Sequence, residues 1–219
     1  MKEGELLYFS EEEFALMLEL AGSNEYSLFL TASELDEQHL IEAFVSLFQR
    51  GLLVREKDSF LPSGEGAFFS QIRSSSHIIL IRAFSPEDRT LLCYVYKNTL
   101  WIAELQNGIP SERYRLRMLS SKDAASWISD MDILPQPMLL EEDTTEFKLI
   151  FPDDLNPESD DEAMVQITKY TGSGVCLCEY SLYSGPIGPL LRISNGENSQ
   201  VYIYTQEKRT EILSDCFGG

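Results

Sequence analysis

Bases are scarce in this chain: 17 lysines and arginines stand against 36 aspartates and glutamates, a formal net charge of −19. Such a surface is repelled by phosphate backbones and by anionic membranes, which sets nucleic acid and membrane aside as partners. Long apolar runs are lacking too, and no stretch reaches the length of a membrane span. The start, MKEGELLYFSEEE, has acids where an export signal needs bases and an apolar run, so a cytoplasmic location is expected. Only four cysteines occur, two of them in VCLCEY, which fits reduced core thiols better than a disulfide framework. Histidine is rarer still. His39 falls in a helical stretch and His77 opens a strand, neither beside a nucleophile in a Gly-x-Ser-x-Gly setting. No glycine-rich phosphate loop follows a strand. A protein without catalytic residues and without a cofactor is expected.

What the chain does have is a core: 43% of its residues are hydrophobic, enough to rule out global disorder. The first 75 residues read as helical. In FSEEEFALMLELAG, Ser10 can cap a helix and Glu13 can reach back to complete a capping box. Phe14, Met17, Leu18 and Ala21 then share one face, and Gly22 ends the helix. A second helix, capped by Thr31 or Ser33, carries Leu40, Phe44, Leu47 and Phe48 as its expected buried stripe and closes at Gly51. GLLVREKDSFLPSGEG then reads as a hairpin. Two helices and a hairpin give a winged-helix outline, yet this segment holds 14 acids against five bases. The basic footprint of a DNA reader is missing.

From residue 77 the period becomes two. HIILIRAF, LLCYVYK, TLWIAEL and RYRLRML read as strands, and SSKDAASWISDM as a closing helix. Two prolines in ILPQPMLLEEDTTE break that helix and begin a linker. The pattern resumes with EFKLIF, GVCLCEYSLYS, GPLLRIS and SQVYIYT as strands and QEKRTEILSDC as the last helix. WISDM at 127–131 aligns without a gap on ILSDC at 212–216, a spacing of 85; Leu116 then falls on Val201, Met118 on Ile203 and Cys93 on Cys178. The expected fold is therefore α+β. A winged-helix-like region (1–75) precedes two pseudo-repeated antiparallel sheet-plus-helix units (76–134 and 146–219), joined by a linker (135–145). The units form one central sheet flanked by helices.

Two clusters invite a metal reading and fall short of it. Cys176 and Cys178 share a strand face, but a Cys-x-Cys without a second ligand pair is weak for zinc. FPDDLNPESDDEAM is dense in acids, with seven carboxylate or carboxamide side chains from Asp153 to Glu162, yet it lacks the central glycine and spaced final glutamate of a calcium loop. A solvated loop over 152–162 is the better reading, with cation binding left open.

The capped first helix, FQRGLLV, the return through FLPSGEGAFFSQI, the strands of HIILIRAFSPEDRTLLCYVYKNTLWIAEL and the run YRLRMLSSKDAASWISDMDILP together resemble the EspG-type chaperones of type VII (ESX) secretion. GPIGPLLRISNGENSQVYIYTQEKRTEIL suits that family's last strands and terminal helix. The resemblance implies a cytosolic, non-enzymatic chaperone that holds the apolar tip of a helical secreted protein or secreted heterodimer and leads it to the secretion machine. A homodimer is a further option. The strong acidity and the short second half depart from the mycobacterial members. An apolar tip needs a groove of apolar side chains with a polar rim. Trp101, Trp127, Met138, Leu139, Leu140, Ile212 and Phe217 are the candidates to line it. The competing reading is an acidic winged-helix transcriptional regulator whose repeated domain senses a ligand.

Overall fold

A computed structural model describes residues 6–22, 35–84, 88–105, 114–139, 163–185, 188–196 and 198–218. In chain order these form β1 (Leu6–Phe9), α1 (Glu11–Leu20), α2 (Glu37–Gln49), the hairpin β2 (Leu53–Glu56) and β3 (Ser59–Pro62), and the short α3 (Phe69–Ile72). Next come β4 (His77–Ala83), β5 (Arg89–Tyr96), β6 (Thr99–Leu105), β7 (Tyr114–Ser120) and α4 (Ser121–Asp130). The last elements are β8 (Ala163–Thr171), β9 (Cys176–Gly185), β10 (Gly188–Asn195), β11 (Asn198–Ile203) and α5 (Gln206–Phe217). The fold is α+β around one antiparallel sheet of nine strands, in the order β1-β7-β6-β5-β4-β8-β9-β10-β11.

The N-terminal helices form as their caps dictate. Ser10 accepts a hydrogen bond from the Glu13 amide at 3.2 Å, and the Glu13 carboxylate accepts one from the Ser10 amide at 3.2 Å. Two of the four orphan donors of α1 are thereby satisfied. Glu13 is also buried, and it ties α1 to the far end of α2: it accepts from Ser46 Oγ at 2.5 Å and from Arg50 Nη1 at 2.7 Å. Arg50 donates further to the Tyr8 carbonyl and lies over the Phe9 ring. The helix α2 begins later than its expected caps. Thr31 and Ser33 lie outside the described residues, and Asp36 holds the cap through its carboxylate to the His39 amide at 3.1 Å. Gly51 follows α2 at φ +72°, a conformation that favours glycine.

The sheet separates two cores. On one face, Ile79, Ile81, Cys93, Ile102, Val165, Ile167, Leu182 and Leu191 pack under α4 and α5 through Ile128 and Ile212. On the other, Ile78, Leu80, Leu92, Tyr94, Trp101 and Leu116 pack under the N-terminal layer through Phe14, Leu18, Leu47, Phe68 and Phe69. Strand alternation produces this division, since neighbouring residues of a strand point to opposite faces. Each fully buried Leu, Ile or Phe contributes about 1.5–3 kcal/mol, so the two clusters account for most of what holds the fold. The sheet residues in this second core come from β1 and from β4 to β7, with Tyr170 of β8 at the margin.

Strands β4 and β8 meet at the middle of the sheet, with Leu80 opposite Thr168. Outward from this seam run β5, β6 and β7 on one side and β9, β10 and β11 on the other. The strand-to-helix junctions lie 85 residues apart: Ser120 caps α4 by accepting from Asp123 N, and Thr205 caps α5 by accepting from Lys208 N.

Three expectations need correction. The strand β1 was not foreseen; it pairs with β7, Tyr8 opposite Arg115, so the N-terminal region contributes an edge strand to the sheet. The strand β8 was not foreseen either, while the expected strand EFKLIF, Leu140 and the acidic loop 152–162 lie outside the described residues. Phe48, expected in the buried stripe of α2, is half exposed, because Ala43 and Leu47 form the side that meets α1 and the sheet.

Candidate partner-binding site

The seven candidate residues do not line one groove. Trp101 is only 2% exposed: it sits mid-strand in β6, stacked on Phe68 with ring centroids 4.3 Å apart, and its Nε1 donates to Gln71 Oε1 at 3.2 Å. Ile212 and Phe217 are on the inner side of α5 and are buried as well. These three are core residues, and the expectation that they face a partner is corrected. Trp127 is half-buried on α4 with the Arg117 guanidinium 4.9 Å from its ring centre. Met138 is half-buried, its amide donating to the Tyr204 carbonyl at 2.8 Å. That bond brings the linker alongside Thr205, the cap of α5. Leu139 follows at 90% exposed. Trp127 on α4 and Leu139 in the linker thus remain at the surface.

Burial governs the inner thiols. Burial pushes Cys93 well up, and the neighbouring Cys216 adds to the shift; burial takes Cys216 itself to about 12. Both stay protonated at neutral pH, so neither is a nucleophile or a ready metal ligand. Cys178 is buried, whereas Cys176 at the start of β9 is exposed, contrary to the expected buried pair. Among the described residues no group of three His, Cys, Asp or Glu side chains is placed to hold a metal ion, and no helix is long and apolar enough to cross a membrane.

A polar cluster lies where α5 ends on β4, β8 and β9. Lys169 Nζ donates to the Asp215 carbonyl at 2.7 Å and to its carboxylate at 3.0 Å, and Tyr180 donates to the same carboxylate at 2.8 Å. His77 Nε2 lies 3.0 Å from the Cys216 carbonyl, which can only accept, so Nε2 carries a proton; Nδ1 lies 2.9 Å from Ser76 Oγ, whose hydroxyl also reaches the Val95 carbonyl at 3.2 Å. A cation at the C-terminal turn suits the helix dipole, and the groups satisfy one another. The cluster is a clamp for α5.

The clamp has a pH signature. Burial lowers the His77 pKa, and the hydrogen bond to the Cys216 carbonyl and the Asp215 charge offset this only in part. A histidine whose folded value lies below its unfolded value favours unfolding once protonated. Stability is therefore expected to be full above the ordinary histidine value and to fall as pH drops from there through the folded value. Melting temperatures measured between pH 7.5 and 5.5 should decline in the parent. They should decline less in His77→Gln; an unchanged slope would remove His77 as the cause.

One surface escaped sequence reasoning. On α2, Ile41 (51% exposed), Val45 (44%) and Phe48 (50%) stand at i, i+4 and i+7 and share one outward face. Phe44 and Phe60 extend this face: Phe44 stacks parallel to Phe48 at 6.3 Å, and the Phe60 ring of β3 meets both edge-on, 4.7 Å from Phe44 and 6.2 Å from Phe48. On the flank toward α1 lies a recess of about 300 Å³ lined by Glu12, Glu13, His39, Glu42 and Ser46. The signal was present: 40, 44, 47 and 48 already supply a core stripe, so Ile41 and Val45 are apolar beyond what one contact consumes. Compared with protein-family models and with curated proteins, the chain has no match.

Proposed function

We propose that this protein is a cytosolic, non-enzymatic chaperone or adaptor that binds an apolar face of a helical type VII secretion substrate, keeps it soluble and presents it for export. One observation carries the reading. In a helix-helix-hairpin unit, the helix before the hairpin is the one a nucleic-acid reader lays in the groove. Here that helix, α2, turns outward Ile41, Val45 and Phe48 with Glu37 and Glu42 beside them. An apolar face with an acidic border fits a protein helix and opposes a phosphate backbone. The same surface disfavours the regulator reading.

On this reading α1, α2, β2 and β3 are a winged-helix-like unit used for protein contact. The strands β4–β7 with α4, and β8–β11 with α5, are a duplicated unit joined at the β4–β8 seam. The mirrored strand order and the Ser120 and Thr205 caps, 85 residues apart, support the duplication. Each half then covers one sheet edge of the other, which a four-stranded unit alone would leave open.

The test is co-expression with small helical secreted proteins encoded beside this chain, followed by size-exclusion chromatography with mass determination. A stoichiometric complex that keeps the secreted protein soluble is the expected result. If the chain stays alone with every such candidate, the chaperone reading falls.

A further inference from the structure

Resting on that reading, we infer that the outer face of α2 is the docking surface, and that its occupant is an amphipathic helix with an apolar stripe bordered by lysine or arginine. The stripe Ile41, Val45, Phe48, widened by Phe44 and Phe60, is two turns long, the footprint of one helix crossing another. Three of its members are between 44% and 51% exposed; with Val54 (47%) and Leu61 (38%) of the hairpin they are the large apolar side chains that the described N-terminal layer leaves exposed, while Phe14, Leu18, Leu47, Phe68 and Phe69 are buried against the sheet. Contiguous exposed apolar area of this kind marks an interaction site.

Charge selects the occupant. The border of the stripe on α2 carries Glu37 and Glu42, and the recess beside it adds Glu12, the Glu13 carboxylate being buried and already paired. Arg50, the base at the end of α2, is engaged by Glu13. At the wing tip Arg55 and Lys57 are matched by Glu56 and Asp58, so the local excess is acidic. A long basic side chain flanking the partner's apolar stripe would enter the 300 Å³ recess and meet carboxylates there, with its stem on Ile41. A second copy of this chain is a poor occupant. Pairing α2 with itself across a twofold would set Glu37 and Glu42 against their own copies, on a chain already at −19.

The probe is a fluorescein-labelled 18-residue helix with leucines at i, i+3, i+4 and i+7 and lysines on both borders. Its controls are the same leucine face with glutamate borders, and a lysine peptide with scrambled leucines. Anisotropy titrations of the intact protein are expected to show binding of the first peptide alone. Val45→Asp and Phe48→Ser should each weaken it by about 30-fold or more, as truncation of a central anchor does, while Leu139→Asp leaves it unchanged. These positions are exposed, and unaltered circular dichroism will show that the variants fold. Equal binding by the α2 variants or by the glutamate-bordered peptide overturns the inference, as does a concentration-dependent homodimer that Val45→Asp dissolves. If a co-expressed secreted protein binds the parent and both α2 variants equally, the surface is wrong and the chaperone reading stands. If none binds at all, that reading fails by itself.

Discussion

Trp101→Ala is expected to lower the free energy of unfolding by about 3–5 kcal/mol, the cost of deleting a large aromatic from a packed core. The indole lies between β6 and the N-terminal layer, flat against Phe68, while Phe69 and Phe9 continue the aromatic contacts at 4.5 and 5.5 Å. Removing it leaves a cavity that Phe68 cannot fill without unseating α3. Trp101→Phe should cost much less, since it keeps most of the ring and loses one hydrogen bond, to Gln71, whose exposed side chain can turn to water. Trp127→Ala is the contrast: its ring is half-buried under Arg117, so about 1 kcal/mol is expected. Urea denaturation followed by near-ultraviolet circular dichroism reads all three. A Trp101→Ala protein as stable as its parent, but unable to hold a partner, would return Trp101 to the surface.

That prediction shows what periodicity conveys and what it leaves out. Alternation located β4 to β7 and most of β9 to β11, because strands buried on both faces are apolar whichever way they are read. It could not say which large residue meets solvent. Trp101, Ile212 and Phe217 looked like anchors, and the packing of two layers on one sheet consumed them. The strand β8 was missed because AMVQITKYT follows an acidic run and its second face, Gln166, Thr168 and Tyr170, is polar in sequence although Thr168 is buried. The four-residue β1 is too short to leave a period, and pairing with β7 decides it. Capping chemistry travelled best: Ser10 with Glu13 needs only local sequence, and the bonds are as expected. At α2 the same logic named Thr31 or Ser33, whereas the helix begins at Glu37 with Asp36 as its cap.

The exposed face of α2 follows from the same accounting. One side of the helix, Ala43 and Leu47, reaches the core; a second side, Ile41, Val45 and Phe48, is apolar and about half exposed, with Phe60 of the hairpin edge-on to Phe48. Folding alone gives no reason to keep Ile41 and Val45 apolar, because exposed apolar side chains on a helix add little stability. Binding gives one. The acidic border then reads as selection among partners, where the net charge of −19 by itself would indicate only solubility.

Glu104→Ala is expected to destabilise the protein by about 3–5 kcal/mol, the cost of stranding charges that a buried partner had neutralised. Glu104 is 8% exposed near the end of β6. It accepts from Arg89 Nη2 at 2.8 Å and Arg115 Nε at 3.0 Å, with Arg115 Nη2 closing a fork. Burial raises its pKa, but the two arginines more than reverse this and hold the carboxyl below its ordinary value. A depressed carboxyl contributes stability that is present above the unfolded value and lost as pH falls through the folded one. The parent should therefore lose this contribution in acid, and Glu104→Gln should show less of that acid-dependent loss. Arg89 also donates to the Met131 carbonyl at 3.3 Å, so the network fixes the turn from which the linker leads to Leu139. The triple replacement Glu104→Leu, Arg89→Met, Arg115→Met separates the two roles. If stranded charge is the cause, the triple variant regains most of the stability lost in Glu104→Ala. A triple variant as unstable as the single one would instead place the loss in the unlatched Met131 turn.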